Sequence, residues 1–164
     1  MAVAVVWRIA RRRFALDRLG TGARESGGRW NHRGTAVIYA GASVAIAALE
    51  RFVHVAGTVP RDLVLVRIEL PRACSVERPA VASLPKGWNL VPAGRSSMDF
   101  GTQWARDRRS LVLYVPSALV HEEENAVLNP AHPEFPPVKM TIERDFQYDA
   151  RMYHPRTSPG RRSQ

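Results

Sequence analysis

Between residues 36 and 70 the hydrophobic period changes twice, and this stretch constrains the fold more than any other part of the chain. Residues 36–40 (AVIYA) read as a short strand. Ser43 follows as a helix N-cap. The run VAIAALERFVHVAG then sets Val44, Ala47, Ala48, Phe52 and Val55 on one stripe at helical spacing, and Gly57 closes it. Residues 62–70 (DLVLVRIEL) alternate Leu63, Leu65, Arg67 and Glu69 against Val64, Val66, Ile68 and Leu70, the pattern of a strand with one buried face.

No second strand–helix–strand unit of this quality is present. Residues 3–9 (VAVVWRI) and 110–116 (SLVLYVP) read as strands, and 138–142 and 145–149 as two short ones. Residues 10–35 read as irregular, punctuated by five glycines from Gly20 to Gly34. Residues 71–95 form a Pro- and Gly-bearing connection, and 96–109 fit a short helix with Met98, Gly101 and Trp104 on one side. Residues 121–128 (HEEENAVL) suggest one or two helical turns, and 129–137 a Pro-rich loop. Strands outnumber helices and loops separate most of them. That predicts one α+β domain over residues 1–152, with short mixed or antiparallel sheets and a few helices, not a doubly wound sheet. Residues 153–164 are basic and Pro/Ser/Gly-bearing, and are expected to be disordered.

The 164 residues suffice for one domain with a core. No apolar run approaches the roughly 18 residues that span a bilayer. In the opening MAVAVVWRIARRR the charges follow the apolar residues, unlike a signal peptide. The lone Cys74 permits no internal disulfide and reads as a small filler, which fits a cytoplasmic protein. The net charge of +9 invites a nucleic-acid reading, but its distribution opposes one. Residues 1–34 hold eight Arg against two acids, and residues 151–164 four Arg and no acid. The 116 residues between hold twelve basic and thirteen acidic groups, so the excess sits at the two ends.

Three places carry residue types suited to chemistry. In Gly27-Gly28-Arg29-Trp30-Asn31 two glycines permit close approach of a backbone to a ligand, and Arg29 can grip a phosphate. Taken alone, the plainer reading is a glycine turn with a surface Arg. Tyr39 ends a strand, and Glu50 follows the apolar run Val44–Leu49, where a charge is costly without a use or a partner. The plainer reading pairs Glu50 with His54 at i+4 on the solvent side. Ser117 follows the strand-ending Pro116 and can present its hydroxyl to a cleft, or simply close an ST-turn. The five histidines show no metal-ligand spacing, and no P-loop or GxGxxG sequence occurs, so no metal or resident cofactor is expected.

Taken in order, these pieces resemble one family. Trp7-Arg8-Ile9, Gly27-Gly28-Arg29-Trp30-Asn31, Val37-Ile38-Tyr39-Ala40 and Ala47-Ala48-Leu49-Glu50 are similar to the RES domain. Leu113-Tyr114-Val115-Pro116-Ser117, Glu124–Pro130, His132-Pro133 and Phe146–Arg151 continue the likeness, which covers roughly residues 3–152. The Arg, Glu and Ser of the family name map to Arg29, Glu50 and Ser117. One departure falls at Phe100-Gly101-Thr102-Gln103-Trp104, where families of this kind usually show a Gly-Asp-x-Trp-like helix start.

The resemblance implies a fold like the ADP-ribosyltransferase toxins, with NAD as substrate. It implies the toxin of a type II toxin–antitoxin system that arrests growth by cleaving the nicotinamide–ribose bond, by hydrolysis or phosphorolysis. The partner implied is an Xre-type helix-turn-helix antitoxin that covers the active site, touches DNA on the toxin's behalf and can build an oligomeric complex. Glu50 would stabilise the oxocarbenium-like ribose, with Arg29 and Tyr39 beside it as catalytic residues. Arg8, Arg29, Tyr39, Ser117 and Asn129 would bind NAD. Two rivals stay open: an ADP-ribosyltransferase acting on a host protein, and a basic module that binds nucleic acid or a partner and needs no cleft joining Arg29, Tyr39 and Glu50.

Overall fold

Antiparallel pairing builds most of this molecule. The computed structural model describes residues 4–54 and 60–153. In chain order it holds β1 (Val5–Arg11), α1 (Thr21–Ser26), β2 (Ile38–Gly41), α2 (Val44–Val53), β3 (Leu63–Glu69), β4 (Val76–Glu77), α3 (Arg95–Arg106), β5 (Val112–Pro116), β6 (Glu124–Leu128) and β7 (Lys139–Asp145). The strands form one sheet in the order β4-β5-β6-β2-β1-β3-β7. Only β4–β5 is parallel. The α+β expectation holds.

The sheet has a seam. β1 pairs with β3 along its whole length, from Val5↔Glu69 to Arg11↔Leu63. Its pairing with β2 is the single register point Trp7↔Gly41. Two blocks, β4-β5-β6-β2 and β1-β3-β7, therefore meet with few ladder bonds between them. Helix α2 packs on β1, β2 and β6 and so covers the junction. Its sequence allows this: Ser43 accepts the Ile46 N–H as N-cap, and Ala47 and Ala48 are small enough for close approach. Gly41 is needed beneath it, because a Cβ there would lie 2.6 Å from Ile46 Cγ2 and 2.7 Å from the Ala47 nitrogen.

Between its edge strands β4 and β7 the sheet is buried on both sides. One face carries Val6, Ile38, Val64, Val66, Ile68, Val112, Ala126 and Leu128. The other carries two clusters: Trp30, Trp88, Trp104, Leu113, Val115 and Val127 over one block, and Ile9, Leu63, Leu65 and Tyr148 under α2 over the other. β3 is thus buried on both faces over Leu63–Val66, where the alternation had suggested one. The Leu face packs on α2, and the Val face on the main core.

Several boundaries move. The helical turns expected at 121–128 are instead β6, held between β2 and β5. Ala126, Val127 and Leu128 are all buried, so no alternation marks the strand in the sequence. One strand, β7, replaces the two expected at 138–149, with a bulge opposite Leu65/Val66. Phe146 and Tyr148 leave the sheet to pack with Phe52, and the Tyr148 hydroxyl donates to the Ala48 carbonyl at 2.6 Å. The stretch 10–35 is irregular except for the end of β1, one short helical turn and α1. Gly20, at φ 62°, and Gly27, at φ 72°, bracket α1, and Asp17 accepts the Thr21 N–H at its start. The first strand runs Val5–Arg11, and α2 ends at Val53 with His54 as C-cap. Gly57, expected to close α2, and the tail from residue 154 lie outside the described residues. Among the described residues no helix is long and apolar enough to cross a membrane.

Helix α3 presses on the loop before β2. A Cβ on Gly101 would lie 2.0 Å from the Trp30 carbonyl oxygen. Gly101→Ala gains about 1 kcal/mol of helix propensity but forces backbone apart, at roughly 1–3 kcal/mol or more. The expected outcome is a lower urea midpoint with an unchanged slope; a midpoint at or above wild type would mean that α3 does not press on this loop.

Candidate active site

The polar group at the seam centres on Glu50. The carboxylate, half-buried on α2, reaches the ends of β5 and β6. Its Oε1 accepts the Ser117 hydroxyl at 2.7 Å and the Asn125 side-chain amide at 2.5 Å. Among the described residues Oε2 has no hydrogen-bond partner. His54 bonds the Glu50 backbone carbonyl at 2.7 Å, not the carboxylate, so the solvent-side pair is not formed. Ser117 is fully buried. Its hydroxyl oxygen accepts from the Leu119 and Val120 N–H groups while its proton goes to Glu50. The ST-turn and the link to Glu50 are therefore both real.

A second set fixes the floor of the same face. Gly41 pairs with Asn125 and Tyr39 with Val127, so Tyr39 and Asn125 share one face of β2–β6. The Tyr39 hydroxyl donates to Asn31 Oδ1 at 2.7 Å and accepts the Trp30 N–H at 3.0 Å. Burial pushes its phenol well above the ordinary range. Asn31, fully buried, donates in turn to the Ala23 and Thr35 carbonyls at 2.8 and 2.9 Å. The loop Gly28–Asn31 is thus pinned to β2, α1 and the segment before β2. Gly28 allows it, since a Cβ there would lie 2.7 Å from the Tyr39 hydroxyl. On the far side His32 Nε2 meets Asp99 at 2.6 Å, and the His32 N–H reaches Thr102 on α3.

The arginines divide. Arg29 Nη1 donates to the Trp88 and Leu90 carbonyls at 2.9 and 2.7 Å and so tethers the 84–94 connection. Its Nε and Nη2 have no partner among the described residues. Arg8, half-buried on β1, has no hydrogen bond or ion pair among the described residues, whereas Arg11 and Arg12 pair with Asp62 and Asp145. Burial lowers the Arg8 pKa; nearby Asp17 opposes this and Arg51 adds to it. Asn129 does not fit its expected place. Its Nδ2 donates to the Ala105 carbonyl, its Oδ1 accepts the Ala131 N–H, and it sits at the end of β6 opposite Asn125. An open cleft bordered by Thr35, Ala105, Arg106 and Asn129 lies at that end and includes none of Arg29, Tyr39 or Glu50.

Sequence reasoning missed Asn125 and Asn31 as site residues. The signal for Asn125 was obscured because its strand read as helix. Asn31 was visible only as part of a glycine motif.

The class is a single α+β domain with a carboxylate-centred polar group at a seam in its sheet. The chain belongs to the RES domain family, whose model matches residues 5–149. It is 45% identical over 152 residues to the "Prs ADP-ribosylating toxin" of Sphingobium sp. (strain YBL2), covering 89% of this chain and 94% of that one. It is 36% identical over 151 residues to "Toxin Res" of Yersinia enterocolitica, covering 90% and 99%. Its fold is similar to a chain of the M. tuberculosis MbcT–MbcA toxin–antitoxin complex, with a TM-score of 0.66 at 17% identity, over 85% of this chain and 82% of that one.

Tyr39→Phe removes one hydroxyl and strands two groups, the Trp30 N–H and the Asn31 carbonyl. An unsatisfied buried polar group costs roughly 1–3 kcal/mol. The variant is expected to lose about that much stability in denaturant titration; a loss below about 0.5 kcal/mol would show that water replaces the hydroxyl.

Proposed function

We propose that this chain is the toxin of a toxin–antitoxin pair, and that it consumes NAD by breaking the nicotinamide–ribose bond at Glu50. The observation that carries the reading is the Glu50 carboxylate, one oxygen clamped by Ser117 and Asn125 and the other without a partner among the described residues. Nicotinamide leaves with the electron pair of the C1′–N bond, and the ribose becomes oxocarbenium-like. A carboxylate held still beside that carbon stabilises charge that develops only in the transition state. Ser117 and Asn125 position Glu50, and the fully buried Ser117 acts through it. The Tyr39 ring offers a surface for the nicotinamide riboside. Arg29 can hold the loop with Nη1 and still offer Nε and Nη2 to a phosphate. Arg8, expected beside them, shares the Val6 and Ala10 face of β1 instead and is left out of this site. Water or phosphate as acceptor completes NAD degradation.

A second reading rests on the relative at 45% identity that is named an ADP-ribosylating toxin. There the acceptor is a nucleophile on another protein, and the same Glu50 geometry serves. In both readings the partner is an antitoxin that covers the site, and an Xre-type helix-turn-helix protein with acidic groups facing the basic residues 8–33 is the form expected.

Glu50→Gln keeps an amide oxygen able to accept both hydrogen bonds and removes the charge. Nicotinamide release by the purified variant is expected to fall on the order of 10²–10³-fold, with the melting curve close to wild type. Turnover at the wild-type rate by the folded variant would remove Glu50 from the mechanism. NAD labelled in the adenylate, incubated with wild type and a bacterial extract, sorts the acceptors: label in free ADP-ribose or its phosphate marks degradation, and label fixed on one protein band marks transfer.

A further inference from the structure

The C-terminal end of α3 holds an arginine where glycine fits best. The Arg108 N–H turns back to the Ala105 carbonyl at 3.2 Å, and the Arg109 N–H to the Trp104 carbonyl at 3.4 Å. A chain that leaves a helix in this way puts its turning residue in the left-handed region, which suits glycine. Here that residue is Arg108, at φ 50°. Arg106 is accounted for by its place in the last turn of α3, where a cation complements the helix dipole. Arg108 lies beyond the helix, and its backbone is disfavoured for a residue with a Cβ. Strain of this kind gathers where a side chain has a use.

Both arginines border the open cleft at the Asn129 end of β6, whose volume is about 230 Å³. Thr35, Ala36, Ala105 and Ala131 border it too. Asn129 shapes the wall, since its side chain is engaged by the Ala105 carbonyl and the Ala131 N–H. The polar groups that remain are open. Thr35 is only 8% exposed, and its hydroxyl makes no hydrogen bond among the described residues. Arg106 and Arg108 have no hydrogen bond or ion pair among the described residues either. The nearby acids are engaged elsewhere: Asp107 accepts the Gln103 amide at 2.8 Å, and Glu77 pairs with Arg109. A buried hydroxyl that finds no protein partner is costly unless water or a ligand meets it. The Glu50 group is remote, because four residues of extended chain, roughly 13 Å, separate Asn129 from Asn125.

We infer that this cleft is a second ligand site, built for a small phosphomonoester. Such a group carries a charge of about −1.5 to −2 at neutral pH, which two guanidiniums match. Their forks suit two phosphate oxygens, and the Thr35 hydroxyl donates to a third. The three alanines leave a smooth apolar wall for the rest of the ligand. The volume lies below the roughly 300–1,000 Å³ of sites for larger ligands, so a mononucleotide or sugar phosphate fits and a dinucleotide does not. The site does not depend on the NAD-consuming reading. Its wall nevertheless reaches the other site: the Thr35 carbonyl accepts from Asn31 Nδ2 at 2.9 Å, and Asn31 Oδ1 accepts from the Tyr39 hydroxyl. An occupant that orders Thr35 therefore steadies the loop that Tyr39 holds.

The test uses the full chain. AMP, inorganic phosphate and adenosine are titrated calorimetrically into wild type, Arg108→Gly, Arg106→Gln and Thr35→Val, and each protein is melted without ligand. AMP and phosphate are expected to bind wild type, and adenosine is not. AMP affinity is expected to fall about tenfold or more in Arg108→Gly and Arg106→Gln, the effect of losing charge-assisted bonds. In Thr35→Val the expected fall is about three- to tenfold. Without ligand, Arg108→Gly is expected to melt about 2–4 °C above wild type, because glycine relieves the left-handed backbone. AMP is expected to slow amide exchange at 33–36 and 105–108 in wild type and not in Arg108→Gly. Equal AMP affinity in wild type and Arg108→Gly would overturn the site, as would protection confined to 28–31, which would put the ligand at Arg29. An Arg108→Gly protein that melts below wild type would show that the arginine serves the fold, and would overturn it as well. A single-stranded oligonucleotide that binds through Arg108, with no binding of AMP or phosphate, would replace the small ligand by nucleic acid.

Discussion

One carboxylate oxygen ties this structure together. Glu50 Oε1 takes hydrogen bonds from Ser117 and Asn125, which lie 67 and 75 positions further along the chain. The bonds fix α2 to one side of the place where the sheet is weakest, since β1 and β2 share only the register point Trp7↔Gly41. Helix α2 bridges the blocks, and Glu50 clasps it to the end of the β5–β6 pair. Charge-assisted hydrogen bonds in a partly desolvated site are stronger than those in water. The apolar underside of α2 covers the seam, and the polar contacts at its Glu50 fix the reactive group.

The second constraint is the loop Gly27–His32. Five elements of structure meet on it: Tyr39 from β2, Ala23 from α1, Thr35 before β2, Thr102 and Asp99 from α3, and the Trp88–Leu90 carbonyls held by Arg29. The Trp30 ring sits in the core against Trp88 and Phe100. A loop so pinned holds Arg29 and the Tyr39 ring in fixed relation to Asn125, and through it to Glu50. Preorganisation of this kind lowers the reorganisation needed when charge develops in a substrate.

Much of this was legible in the sequence, and the failures share a cause. The helix from Ser43 and strands β1, β2, β3 and β5 were readable because each has a period or a cap that owes nothing to distant residues. β6 was not, because a strand buried on both faces loses its alternation, and the acidic HEEE before it imitates a helix start. α1 was hidden between glycines that mark its two ends in left-handed geometry. Glu50 was readable as a charge following an apolar run, but its partners were not, since only the β2–β6 register brings Asn125 beside it. Asn129 misled because its motif borders the site in sequence while its side chain serves α3.

The central claim is that Glu50, the Tyr39 face and Arg29 serve one bound molecule. A crystal structure of the chain with a slowly cleaved NAD analogue tests it most directly. The expected complex has the nicotinamide ribose within hydrogen-bond reach of the Glu50 carboxylate and the pyrophosphate beside Arg29. An analogue bound with its nicotinamide ribose away from Glu50, at the Asn129 end of β6 or on the outer surface, would contradict it.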